Sequence, residues 1–336
     1  MFVRRDVCKH NEAMYPLLFT PVYKDYIWGG NRIPRLYGRE TSADVCAESW
    51  EVADRPEGMS IVRNGALAGR SLHGLVEEYG SDIVGRGRKT AVFPLLIKII
   101  DAARKLSVQV HPDDESAARY GGEAKTEMWY VLDAEPGARV FVGLTPGTGP
   151  AQFREAVEKA RLEEVLKPLP VRPGDAVFVP GGRVHAIGEG CLLLEVQQNS
   201  NTTYRVYDWG RNGRDGKPRS LHIEEALRVI RWRDAHPSLA EPAKAASLNG
   251  VLLQRILACA YFVVERIDLA ARGLFRNSGA GFHTLFVESG TVAIEGGGVS
   301  EALSRGTSCL LPAALELYTI EPAQGKAAVI RTSLPE

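Results

Sequence analysis

The chain has 336 residues, 45% of them hydrophobic and 24% charged, and 41 Lys and Arg balance 41 Asp and Glu. This is a globular composition with ample material for a core, and the length fits two domains. A net charge of zero gives no electrostatic ground for binding nucleic acid or an acidic membrane surface.

In chain order, residues 1–14 read as a polar leader that lacks the apolar core of a signal peptide. From residue 15 to 233, short apolar or alternating runs are punctuated by Gly and Pro. Glu48–Ala53, Phe93–Ile100, Leu106–Val110, Met128–Leu132, Val140–Leu144, Ala176–Val179, Cys191–Gln197 and Thr203–Tyr207 read as strands. Helices are expected at Ser71–Tyr79, Asp114–Tyr120, Ala151–Leu166 and, behind Ser220 as N-cap, Leu221–Trp232. Residues 234–250 mix Pro, Ala, Ser and charge and read as a linker, after which Tyr261–Ile267 opens a second β-rich unit over 251–336. The pattern predicts a mainly β sandwich or barrel. No apolar run approaches the roughly 18 residues of a membrane span. The five cysteines are odd in number and free of CxxC spacing, which argues against a disulfide framework and makes a reducing cytoplasm the expected compartment.

The two units share a pattern. Pro173–Pro180 resembles Arg305–Pro312, with Gly and Pro six apart in both, and Glu127–Val131 resembles His283–Val287. By this comparison His283 stands where Glu127 stands and Leu317 where His185 stands. The first unit is expected to carry a metal and the second to lack one.

The chemistry concentrates at Ser107-Val108-Gln109-Val110-His111-Pro112-Asp113-Asp114. Alternation points Gln109 and His111 to one face, about 7 Å apart along the strand. Asp113 and Asp114 read as cap and turn residues, and His10, His73, His222 and His236 as structural or surface histidines. With Glu127 at the start of one strand and His185 past the end of another, two imidazoles, a carboxylate and an amide oxygen form a mixed N/O set. Such a set suits Zn²⁺, with Mn²⁺, Co²⁺ or Fe²⁺ open.

SVQVHPDD at 107–114, KTEMWY at 125–130, PGGRVHAIGEG at 180–190 and EVQQNSNTTYRVYDWGR at 195–211 closely resemble the type I mannose-6-phosphate isomerases. PVYKDYIWGG at 21–30, ESWEVA at 48–53 and FPLLIKIIDA at 93–102 extend the resemblance over about Tyr15 to Trp232. It implies two cupin (jelly-roll) units with a few short helices. It implies one zinc held by Gln109, His111, Glu127 and His185, and Arg205 as the active-site arginine. Ser107 and Lys125 match substrate-pocket positions, and Glu195 matches an active-site glutamate. Only 57 residues separate Glu127 from His185, so the helical insertion of larger relatives is absent.

The implied reaction is an aldose–ketose isomerisation of a sugar phosphate, with a proton moved between C1 and C2 through an enediolate. Lys125, Glu195 and a metal-bound water are the open candidates for the proton transfer. A redox-iron cupin oxygenase would favour a site built mainly from histidines, and a non-catalytic sugar-binding cupin would not need the full ligand set. The expected partner is a small sugar phosphate, without nucleic acid or membrane, and the expected state is a monomer or weak homo-oligomer.

Overall fold

The structure, a computed structural model, describes residues 14–335 apart from Ser42 and Lys89. The expected leader, with Cys8 and His10, lies outside the described residues except for Met14, which is buried.

The strands of the two main sheets of the first unit are β1 (Val22–Lys24), β2 (Glu48–Val52), β3 (Leu95–Ala102), β4 (Val108–Val110), β5 (Glu127–Ala134), β6 (Arg139–Leu144), β7 (Leu166–Pro170), β8 (Ala176–Val179), β9 (His185–Ile187), β10 (Cys191–Gln198) and β11 (Tyr204–Tyr207). They form a large sheet in the order β8-β5-β10-β3-β2-β1 and a smaller one in the order β7-β6-β9-β4-β11. Pairing within both is antiparallel.

Period-2 alternation divides each strand between two cores. Ile100, Trp129, Val131, Leu193, Val140, Val142 and Ile187 meet between the sheets. Their neighbours Ile99, Met128, Tyr130, Leu192 and Leu194 turn the other way and join a core shared with the second unit. Val108, Val110, Phe141, Val184 and Val206 cover the outer face of the small sheet and pack against helices. The large sheet is thus buried on both faces, which accounts for the nearly unbroken apolar run of β3.

The helices are α1 (Arg32–Tyr37), α2 (Leu72–Tyr79), α3 (Ser81–Val84), α4 (Asp114–Tyr120), α5 (Pro150–Glu158) and α6 (Ile223–Val229). Ser71 caps α2 by accepting from Gly74 N–H. Asp113 caps α4 in a capping box with Ser116, the role its position after the strand suggests. The helix expected over Ala151–Leu166 breaks. Ala160 takes a positive φ of 52°, α5 stops at Glu158, and a 3₁₀ turn over Leu162–Val165 leads into β7. Phe153 and Leu162 still face the same core, so the apolar stripe is real although the helix is not continuous. Ser220 is not the cap of α6 either. His222 N–H bonds the Arg205 carbonyl at 2.7 Å, which holds the segment extended beside β11 until Ile223.

The second unit contains β12 (Ala246–Leu248), β13 (Val251–Ala258), β14 (Val263–Leu269), β15 (Gly273–Arg276), β16 (His283–Ser289), β17 (Thr291–Gly296), β18 (Val299–Ser304), β19 (Ser308–Leu311), β20 (Leu317–Pro322) and β21 (Ala327–Ser333). Its sheets run β19-β16-β21-β14-β13-β12 and β18-β17-β20-β15. Strand for strand these two sheets repeat those of the first unit, which add β11; the first unit also has two short two-stranded ribbons, Phe19–Thr20 with Ile61–Val62 and Asp54–Arg55 with Gly58–Met59. Val179 pairs with Glu127 in one unit and Leu311 with His283 in the other, so the register equates Glu127 with His283. The equivalent of His185 is Tyr318, not Leu317. The connection from Pro312 is one residue longer, and a one-residue slip reverses the face. Leu317 is 45% exposed, whereas Tyr318 is buried and bonds His283 Nδ1 at 2.9 Å.

Residues from the expected linker extend both units. Ala246–Leu248 is an edge strand of the second, and Ser238 and Ala240 bond the backbone of Phe178 and Ala176 in the first. Leu17 likewise bridges to Leu310. Tyr130 Oη donates to Glu288 Oε1 at 2.8 Å across the shared core. Among the described residues no helix is long and apolar enough to cross a membrane.

Candidate active site and metal centre

Inward positions of the first unit are apolar at one end of the inter-sheet space and polar at the other. Along β5 they run Glu127, Trp129, Val131; along β10 Gln197, Glu195, Leu193; along β3 Lys98, Ile100. The polar end opens into a cavity of about 310 Å³ lined by Ser107, Gln109, Lys125, Glu195 and Arg205, with Glu48, Lys98, Asn201 and Arg219.

His111, Glu127 and His185 are fully buried at its base and bring one ligand atom each to within 4.8 Å of one another. Glu127 Oε2 lies 3.6 Å from His111 Nε2, and Oε1 3.3 Å from His185 Nε2. Both imidazoles present Nε2 because Nδ1 is engaged elsewhere, by the Thr202 carbonyl in His111 and the Arg183 carbonyl in His185, each at 2.8 Å. Gln109 pairs directly with His185 in the β4–β9 ladder, so the two side chains share a face. Glu127 Oε1 and His185 Nε2 are buried without a hydrogen-bond partner. Orphaned acceptors that converge this way fit a cation, and the donor set of two imidazoles and a carboxylate suits a borderline divalent ion. The histidine supports are the carbonyl partners that metal-ligating imidazoles use.

Around this base the charges alternate. Lys125 Nζ contacts Glu127 Oε2 at 2.5 Å and His111 Nε2 at 3.2 Å. Lys98 Nζ lies 2.9 Å from Glu195 Oε1 and 3.5 Å from Glu48 Oε2. Trp129 Nε1 donates to Glu195 Oε2 at 2.8 Å and Trp50 Nε1 to Glu48 Oε2 at 2.7 Å. Burial drives the Glu195 carboxyl upward, but Lys98 and Lys125 outweigh it and hold Glu195 below the usual glutamate range. Burial, reinforced by Glu195, pushes Glu127 up to about 7 against the pull of Lys125. Burial also takes His185 down to about 3 and His111 well below its ordinary value.

These shifts set the pH dependence of metal uptake. The histidines are neutral across the working range, so the proton that competes with a cation is the one on Glu127. Affinity should rise with pH up to about 7 and level off above it, with about one proton released per cation below that point. Isothermal titration in buffers of different ionisation enthalpy checks this. An affinity flat from about pH 5.5 to 8 would contradict it.

Arg205 pairs with Gln109 across the β11–β4 ladder and so faces the cavity. Its guanidinium donates to the Ser220 carbonyl at 2.9 Å, and its Nε is buried without a partner. Arg219, held by Asp208 at 2.7 Å, stands near enough to disfavour the Arg205 charge, after burial itself. All eight residues singled out in the sequence, Ser107, Gln109, His111, Lys125, Glu127, His185, Glu195 and Arg205, therefore meet at one place. Lys98, Glu48 and Arg219 were not singled out. A lone lysine inside the apolar run of β3 was the available signal for Lys98; Arg219 reaches the cavity only through the fold around Asp208.

Residues 17–156 match the family model for the type I phosphomannose isomerase catalytic domain, and residues 254–333 match the mannose-6-phosphate isomerase cupin domain. A probable mannose-6-phosphate isomerase of Bacillus subtilis is 34% identical over 91% of this chain and 96% of its own length. The chain belongs to the type I mannose-6-phosphate isomerase family. A mannose-6-phosphate isomerase of Streptococcus mutans is also 34% identical, over 91% of this chain and 95% of its own. The crystal structure of the Bacillus subtilis mannose 6-phosphate isomerase superposes with a TM-score of 0.87 at 30% identity, over 95% of this chain and 99% of that one. As a member of this isomerase family the chain is an aldose–ketose isomerase built on cupin units. The catalytic-domain match contains Ser107, Gln109, His111, Lys125 and Glu127. His185, Glu195 and Arg205 come from beyond it and are brought in by β9, β10 and β11.

Proposed function

We propose that this chain interconverts D-mannose 6-phosphate and D-fructose 6-phosphate with one Zn²⁺ bound by Gln109, His111, Glu127 and His185. The observation that carries this reading is the convergence of two histidines and a carboxylate, with orphaned Glu127 Oε1 and His185 Nε2, at the base of a cationic cavity in a chain of this family. A bound cation would supply an electrophile for the sugar oxygens at C1 and C2.

The chain's own residues do the rest. Glu195, held ionised by Lys98 and Lys125, is the group able to take the proton from C2 of the aldose and return it at C1 of the ketose. The Lys125 and Lys98 ammonium groups offset the charge that builds on the oxygens of the enediolate. Arg205, with an unpartnered Nε and a backbone-anchored fork, and Arg219 beside it offer a site for the phosphate dianion or the enediolate. Ser107, buried on the same face as Gln109, supplies a hydroxyl to the sugar. The four described cysteines are unpaired, which fits the reducing cytoplasm as the working compartment, and a monomer or weak homo-oligomer as the working state is part of the same reading.

The second unit carries different residues at the corresponding positions. Arg331 and Glu265, at the positions of Glu195 and Lys98, form the same pair with the signs exchanged, 2.6 Å apart, and Tyr318 fills the space beside His283. A coupled assay tests the reading. Mannose 6-phosphate should be converted to fructose 6-phosphate by the zinc-loaded protein; binding of the sugar phosphate without conversion would favour a non-catalytic cupin.

A further inference from the structure

The two histidines are oriented by different means. His185 bonds the carbonyl of Arg183, two residues away on its own segment. His111 bonds the carbonyl of Thr202, 91 residues away in the connection between β10 and β11. The direction of the His111 ring therefore depends on how that connection is held.

It is held from inside the unit by Gln197. This residue is fully buried, on the inward face of β10 and directly across the ladder from Glu127. Its Nε2 donates to the carbonyls of Gln198 and Ser200, both at 2.8 Å. The Ser200 hydroxyl accepts from Thr202 N–H at 3.2 Å and donates to the Glu123 carbonyl at 3.1 Å. Thr202 Oγ1 accepts from Glu123 N–H at 2.9 Å. An unbroken series of bonds thus runs from Gln197 through Ser200 and Thr202 to His111 Nδ1. Gln197 Oε1 is buried with no partner. A buried amide that leaves its acceptor unsatisfied is costly, and an apolar side chain of the same length would pack as well. The two donor contacts are what the amide supplies.

We propose that Gln197 is a positioning residue for His111, acting through Ser200 and the Thr202 carbonyl, and that it fixes the imidazole with Nε2 turned to the cation. The proposal rests on the metal centre described above. Its test uses Co²⁺ added to the metal-free full chain, with affinity read by chelator competition and ligand geometry by the visible Co²⁺ bands. Gln197→Met should weaken Co²⁺ binding by about 10–100-fold, the range for losing a support of a metal-bound histidine, and change the band intensities. Ser200→Ala should act in the same direction, and Ser200→Thr, which keeps the hydroxyl, should recover most of the loss. A role in packing alone would lower the melting temperature and leave Co²⁺ affinity and spectrum unchanged. Folded Gln197→Met with parental affinity and spectrum overturns the proposal; if that variant does not fold, parental affinity and spectrum in Ser200→Ala overturn it. A parent chain that binds no Co²⁺ would refute the metal centre instead.

Discussion

Glu127→Ala should abolish turnover, by at least about 10³-fold, and lose the metal with it. Glu127 supplies the only carboxylate among the buried residues that bring ligand atoms together at the base of the cavity. Without it, two neutral imidazoles and the Gln109 amide offer a divalent ion no charge. The Lys125 ammonium, now without its closest anion, repels the ion from the same space. Zinc should raise the melting temperature of the parent, because a ligand that binds only the folded state stabilises it. The same addition should leave the melting temperature of Glu127→Ala unchanged. Metal analysis after gel filtration, with a melting curve at matched zinc, checks both outcomes. Near-stoichiometric zinc in Glu127→Ala would mean that the ion sits elsewhere.

Arg205→Ala should lose about 10²–10³-fold in kcat/KM while the zinc content stays near that of the parent. The guanidinium lines the cavity, anchored by the Ser220 carbonyl and free at Nε, and is not among the candidate ligands. Its loss removes a planar donor from the sugar phosphate and leaves the cation in place. Arg205→Lys should recover little, since an ammonium cannot reproduce both the Ser220 contact and a second donor aimed into the cavity. The pairing of intact zinc with lost turnover separates this residue from Glu127. Activity in Arg205→Ala close to the parent would remove it from the machinery.

Much of this site is legible in the sequence because strands make sparse information spatial. Alternation alone puts Gln109 and His111 on one face, and the observed core confirms the division, with Val108 and Val110 turned to the helices. The comparison of the two units identifies Glu127 with His283, and the ladders agree. What the sequence hides are features set by single-residue phase. The longer connection after Pro312 shifts Tyr318, not Leu317, into the place of His185. The positive φ at Ala160 splits an apparently continuous helix without disturbing its apolar stripe. The partners of Lys98 are hidden for a different reason. Its neighbours on both faces of β3 are apolar, and only the fold shows it between Glu48 and Glu195. The support of His111 by Gln197 depends on a series of bonds between side chains and backbone in the connection between β10 and β11 that no spacing encodes.

The division of labour between the units follows from the same sheet. Alternate residues of β5, Glu127, Trp129 and Val131, face the space between the sheets, and those between them, Met128 and Tyr130, pack against the second unit. The second unit therefore buries the back of the strand that presents Glu127, and in its own interior Arg331 pairs with Glu265 and Tyr318 with His283.

The most direct test of the central claim is a zinc titration of the metal-stripped chain during conversion of mannose 6-phosphate to fructose 6-phosphate. Turnover should be absent at the start, rise linearly and break at one zinc per chain, and disappear again on addition of chelator. Full turnover in the stripped chain, or a rise that Glu127→Ala reproduces, would contradict a metal-dependent isomerase centred on His111, Glu127 and His185.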